Sequence, residues 1–185
     1  MTFSFATGEY KVAGSFNLWF KTNIVTNLPT WLASAIVNFD YPDVPLFNEA
    51  AGDYAPKFSV THLGAYEDPA AYSESYLLDG LHTGQKLNSL AEINCWVNVK
   101  SSAQGVNTTW QRDLRQMRDM VVTLFSATRQ ISIVDVYTST SSPAATGYIL
   151  RIDGVDEVDT PIPDVNLNVR RKRILVRYCY YQRST

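Results

Sequence analysis

The sequence predicts an α+β fold: a single domain over 1–185, with a mostly antiparallel sheet and two main helices packed on one face. Three observations point to it. Two segments repeat apolar residues at i, i+3 and i+4, the helical period. Six others alternate apolar and polar residues, the strand period. Most of the strand-like segments follow one another directly instead of alternating with helices, which disfavours a doubly wound parallel sheet. A chain of 185 residues, 45% hydrophobic and 18% charged, is long and apolar enough to bury a core.

Residues 1–13 alternate weakly (Phe3, Phe5, Tyr10, Val12), so 1–14 is expected to form an N-terminal arm or edge strand. From Gly14 the period changes. Phe16, Trp19, Phe20, Ile24 and Leu28 predict a helix over 15–27, with Ser15 as N-cap and Pro29 as the stop. "SAIVNFDYPD" reads as a strand ended by Pro42, and "KFSVTHLGAY" as a second strand, antiparallel to the first if the loop between them is a simple return. Residues 66–87, with Pro69, Gly80 and Gly84, are expected to be a long connection or insertion. In "SLAEINCWVNVKS", Leu90, Ile93, Cys95, Val97 and Val99 lie near period two and predict a strand over 89–100.

The clearest helix follows, over 109–127. Trp110, Leu114, Met117, Val121, Leu124 and Phe125 share one face. Thr108 with Gln111 fits a capping box, and Arg115 can pair with Asp119 at i, i+4. "QISIVDVYT" is a strand and "STSSPAATG" a polar loop. "YILRIDGVDEV" and "LNVRRKRILVRYCYYQR" are two more strands joined by "DTPIPD". In the last strand Ile174, Val176, Tyr178 and Tyr180 form a core face, while Arg173, Leu175, Arg177, Cys179 and Tyr181 share the other.

The chemistry-bearing residues are sparse. His62 and His82 are the two histidines, and no nucleophile context of the G-x-S-x-G kind accompanies either. Cys95 and Cys179 sit in apolar strands without Cys-x-x-Cys or histidine company, which suits packed thiols. The five acids of Asp153–Asp164 lack calcium-loop spacing, and no glycine-rich phosphate loop is present. Hence no catalytic residue, metal site or cofactor is expected. The N-terminus lacks a basic start and an apolar run, and no window approaches the ~18 apolar residues of a membrane span, so a protein made in the cytosol that stays soluble or assembles from there, without a membrane, is expected.

Charge is concentrated at the C-terminus. Arg170, Arg171, Lys172, Arg173 and Arg177 follow Asp153, Asp156, Glu157 and Asp159 across a proline-containing turn, while the whole chain carries −2. A hairpin of 148–158 with 167–181 would set Asp153 close to Lys172, and Asp156 near Val169 and Arg170, as stabilising cross-strand pairs. Pairing of the same residues with a neighbouring subunit, or contact of 170–173 with nucleic acid, are the alternatives; no interleaved binding motif supports the last.

The order of elements, and the strings "VNFDYPDVPLF", "PKFSVTHLG", "WQRDLRQMRDMVVTLF", "ISIVDVY", "GYILRIDGVDEV" and "RRKRILVRYCYYQR", resemble the tail-terminator and neck proteins of long-tailed bacteriophages, over residues 15–183. That resemblance implies a tail-terminator-like fold whose subunits form a ring, usually a hexamer, without catalysis or cofactor. Such a ring caps the tail tube, stops its growth and joins it to the head-neck connector, and DNA passes through the lumen without sequence-specific binding. It would belong to the virion tail-neck, assembled in the host cytoplasm. The expected subunit interface is Asp153, Asp156, Glu157, Arg170, Arg171, Lys172, Arg173 and Arg177. The expected tube or connector contacts are Tyr72 and Tyr76 in 66–87, and Ser139, Ser141 and Ser142 in the 138–147 loop. A head-closure or adaptor protein of the same neck is the near alternative.

Overall fold

The computed structural model describes residues 8–32, 35–39, 47–52, 54–67, 84–99, 109–136, 143–158 and 168–183. Helix α1 (Glu9–Thr26) is followed by a 3-10 turn (Thr30–Leu32) and strand β1 (Ile36–Phe39). A second 3-10 turn (Glu49–Ala51) precedes β2 (Lys57–Glu67), β3 (Gly84–Asn98) and helix α2 (Thr109–Ala127). Strands β4 (Gln130–Asp135), β5 (Ala144–Val158) and β6 (Val169–Arg183) complete the chain. They form one six-stranded sheet in the order β1-β2-β3-β6-β5-β4, antiparallel throughout except for β1 with β2. The expected α+β class, with a mostly antiparallel sheet and two helices, is what the chain adopts.

Helix α1 starts earlier than its apolar residues suggested. Val12, Phe16, Phe20 and Ile24 recur at four-residue spacing and are all buried, so the segment expected to be an arm supplies the first turns of the helix from Glu9 onward. Gly14 does not break it, because one helical glycine costs only about 1 kcal/mol. Ser15 is therefore an interior residue and not the N-cap, which is Gly8. Residues 1–7 of the expected arm lie outside the described residues.

Both helices lie on the same side of the sheet. Phe16 stacks on Tyr178 of β6 (ring centres 5.4 Å apart), and Phe20 meets Phe58 of β2 edge-on (5.9 Å). Phe125 of α2 stacks against both, at 5.3 Å from Phe16 and 5.8 Å from Phe20. The expected apolar face of α2 is borne out: Leu114, Met117, Val121 and Phe125 are buried, and Trp110 and Leu124 pack at the margin. The Thr108 cap lies outside the described residues. Asp119 is held by its chain neighbour Arg118 and not by Arg115. Among the described residues no helix is long and apolar enough to cross a membrane.

Three expectations about the strands need correction. First, β1 and β2 are parallel, with Ile36 opposite Lys57 and Phe39 opposite Val60. The connection between them is 40–56, long enough for the crossover that parallel strands require, so it is not a simple return. Second, the segment expected as a connection from 66 to 87 is shorter than that: β2 runs through Glu67 and β3 begins at Gly84. Third, the β5–β6 register is displaced from the expected one. Asp156 lies opposite Leu175 and Val158 opposite Arg173, while Asp153 falls in a bulge between the pairs Ile152–Tyr178 and Gly154–Arg177.

The bulges matter for what faces the helices. One residue inserted into β5 reverses the alternation, so Val155 joins Ile152 on the helix side and Glu157 follows it, while Asp156 turns outward. A second bulge in β2, after His62, contains Gly64 at φ +87°, a conformation that glycine adopts without strain. A third irregularity lies between Ser132 and Val134 of β4, opposite a stretch of β5 that contains Gly147 at φ +80°. Each adds local twist and bends the sheet.

Candidate functional site

The charged residues of the C-terminal hairpin divide between the two faces of β6, and Arg170, Arg171, Lys172, Arg173 and Arg177 each find a partner within their own chain. On the helix side, Lys172 Nζ donates to Glu157 Oε1 at 2.8 Å, and Arg118 of α2 donates to Oε2 at 2.8 Å. The two hydrogen bonds, Lys172's first, hold the Glu157 carboxyl below its ordinary value. Beside them the Arg170 guanidinium lies 5.6 Å from the centre of the Trp110 ring, a cation–π distance that ties the start of β6 to the first turn of α2.

On the outer side, Arg173 Nε sits 2.6 Å from Glu92 Oε2 of β3, and Arg171 reaches to 3.9 Å from Oε1. Arg171 also covers Trp96, with its guanidinium 5.1 Å from the ring centre. Glu92 Oε1 accepts a hydrogen bond from Asn94 Nδ2 at 2.9 Å, and Trp96 Nε1 donates to Ser59 Oγ at 2.9 Å. Glu92, Asn94, Trp96 and Ser59 are all buried, so this lattice is built at the middle of the sheet. Further along, Arg177 pairs with Asp156 (Nε to Oδ2, 2.9 Å), its guanidinium folded over Gly154, where a Cβ would come within 2.6 Å of Nη2. Glycine makes room for the fork.

The expected pairing of these charges is thus intramolecular, with different partners. Asp153 does not meet Lys172; the bulge turns it toward Cys179, whose thiol is pushed up to about 11 by burial first and by the hydrogen bond with Asp153 second. Asp156 meets Arg177 and not Arg170. Tyr72, Tyr76, Ser139, Ser141 and Ser142 lie outside the described residues.

Sequence reasoning missed Glu92, which holds the two outer arginines. Its signal was present: a lone carboxylate in the apolar strand "SLAEINCWV" calls for a buried cation. It also missed Trp96, Trp110 and Arg118, which are distant in sequence from the residues they hold.

A second polar cluster surrounds His62. Nε2 lies 2.9 Å from Asn17 Oδ1, a pure acceptor, so Nε2 carries the proton. Nδ1 on the other side of the ring lies 3.0 Å from the Tyr178 hydroxyl, which can serve it as donor or acceptor. Ser89 Oγ stands 3.1 Å from that hydroxyl and 2.9 Å from the Gly64 carbonyl, which the β2 bulge aims at it. Burial pushes the Tyr178 phenol up to about 12. Both ring nitrogens are occupied by the protein, so the arrangement ties α1 to β2, β3 and β6, and no nitrogen is presented to a substrate. His82 lies outside the described residues. Cys95 and Cys179 are free and buried, and burial raises the Cys95 thiol strongly. Among the described residues no group of three or more His, Cys, Asp or Glu is placed to hold a metal ion.

With this geometry in view, comparison with known proteins finds no family model and no curated protein that matches the chain.

Proposed function

We propose that this chain is a structural assembly subunit. In this reading it is a ring-forming tail terminator of a long-tailed bacteriophage, built into the virion tail-neck from subunits made in the host cytoplasm. The ring, of hexameric type, caps the tail tube, halts its growth and joins it to the head-neck connector, and DNA passes through without sequence-specific contact. The observation that carries the structural class is the internal neutralisation of the basic run: Arg170, Arg171, Lys172, Arg173 and Arg177 each engage a group of their own chain. A phosphate-gripping surface needs cations turned to the ligand. Here they brace strands and helix instead. The placement at the tail rests on the resemblance in element order and local strings.

A ring is made by a heterologous contact that closes on rotation. Light scattering after gel filtration, with negative-stain imaging alone and with tail-tube protein, tests the proposal. Closed rings, and tubes arrested in length when the protein is present, are expected. A monomer at every concentration, with no effect on tube length, overturns it.

A further inference from the structure

A cleft of about 550 Å³ opens between α1 and α2, toward the C-terminal half of each. Ile24, Met120 and Leu124 give it an apolar floor, while Asn23, Asn27 and Asp119 give it a polar rim. That rim is made of acceptors. The Asn23 amide donates to the Trp19 carbonyl at 2.8 Å and the Asn27 amide to the Asn23 carbonyl at 2.7 Å, so the oxygen of each is the atom left to accept. Arg118 engages Oδ1 of Asp119 and leaves Oδ2, on a side chain 59% accessible. Neither helix has a basic residue in its last turn, and the negative ends of both helix dipoles border the cleft. Among the described lining residues none is a cation. The complement of this cleft is a donor-only cation on an apolar stem, which is the chemistry of an arginine side chain.

The opposite side of the sheet carries that complement. Leu150 and Ile152 of β5 are buried on the helix side, so strand alternation puts Ile149 and Arg151 on the outer face. Ile149 is 41% exposed, Arg151 is exposed, and so are Ser132 and Gln130, which face them across β4. An apolar side chain and a guanidinium thus leave one strand about 7 Å apart. Lys21 and Val25 of α1 form another exposed pair of this kind, but they stand on a helix that walls the cleft itself. A contact through them sets the same helix of two copies together, the isologous arrangement that closes as a dimer. Arg151 and the cleft lie on opposite sides of the sheet, so a contact between them runs head to tail, the kind that closes into rings. We infer that the outer face of β5 docks into the α1–α2 cleft of a neighbouring copy of the chain, with Arg151 on Asp119 and Ile149 against the apolar floor. The inference rests on the ring proposed above and names the joint between its subunits.

Charge reversal tests it, with assembly read by light scattering and negative-stain imaging. Asp119 and Arg151 are surface residues, so Asp119→Arg and Arg151→Asp chains should fold, which melting curves verify. Where a reversal melts early, Asp119→Asn or Arg151→Gln replaces it and should move assembly in the same direction. Each reversal alone sets like charges across the joint and should raise the concentration needed for rings about tenfold or more. Asp119→Arg/Arg151→Asp in one chain should restore assembly. An equal mixture of the two single variants should restore it too, because copies alternating around a six-membered ring meet only opposite charges. Lys21→Asp should leave assembly unchanged. Rings that survive both reversals, or that neither the double variant nor the mixture restores, overturn the inference and leave the ring standing. Rings lost with Lys21→Asp but kept with Arg151→Asp overturn it as well. If the unmodified chain forms no rings, both proposals fall.

Discussion

Glu157 serves two cations with one carboxylate, each oxygen taking a separate donor, which makes it the most informative single residue for the packing of α2 on the sheet. Its side chain is 25% accessible, so solvent screens the pairs in part. Replacing it by Gln keeps the shape and removes the charge; about 1 kcal/mol of stability should be lost at pH 7, measured by urea unfolding. The dependence on pH has a definite sign. A carboxyl lowered in the folded state stabilises fully above its unfolded value, and the gain fades as pH falls through the lower folded value. The gap between wild type and Glu157→Gln should therefore be full at neutral pH and close in acid, below the ordinary carboxylate range of about 4. A gap independent of pH would assign the effect to packing. At Gly154 the test is a double-mutant cycle. Gly154→Ala displaces the Arg177 guanidinium and with it the Asp156 pair, which is half exposed and contributes less than about 1 kcal/mol. In an Arg177→Ala background the same methyl meets no guanidinium, and the substitution should become neutral or mildly stabilising.

Elements are placed in this fold by features of unequal visibility in sequence. Helix α2 and the core face of β6 were legible because an apolar period over fifteen or more residues survives any tertiary context. That the two charge runs would be neutralised nearby was legible too. Which acid meets which base was not. A one-residue bulge at Asp153 reverses the facing of everything after it; the Asp153-Gly154 pair marks it in "RIDGVDEV", but a continuous strand alternation was read through it. Glu92 lay hidden for a different reason: its partners are some eighty residues away, joined only because β3 and β6 are neighbours. The parallel direction of β1 and the early start of α1 were missed because a loop and a glycine were each read as local punctuation. At the β4 edge, Ser15 substitutes for the absent next strand. Ser15→Ala should leave the Val134 N–H without its acceptor, raise its hydrogen-exchange rate well above that of its neighbours in β4, and cost about 1 kcal/mol globally. Unchanged exchange at Val134 would mean that the helix shields this edge by burial alone.

At the scale of the whole molecule, the disposition of charge separates a structural subunit from a nucleic-acid binder. The chain carries −2, so no overall field gathers it onto DNA, and any affinity must come from a local basic surface. The densest run is spent internally: the side chains of Arg171 and Arg173 are 13% and 27% accessible and converge on Glu92, itself 10% accessible. Removing both arginines strands a buried carboxylate with only Asn94 as a described donor. The loss for Arg171→Ala/Arg173→Ala should be on the order of 3 kcal/mol in unfolding free energy, the cost of breaking a buried pair from one side. A patch evolved for phosphate behaves in the opposite way. Its removal weakens DNA binding and flattens the salt dependence, while stability barely moves. Anisotropy titrations with duplex DNA between 50 and 200 mM salt, run beside urea melts of the same two proteins, distinguish the cases. For a subunit lining a channel that DNA must traverse freely, wild type and variant should both bind weakly and with shallow slopes, and only the melts should differ. A steep slope in the wild type that the double substitution abolishes, with the melts superimposed, would reassign the hairpin to nucleic-acid recognition.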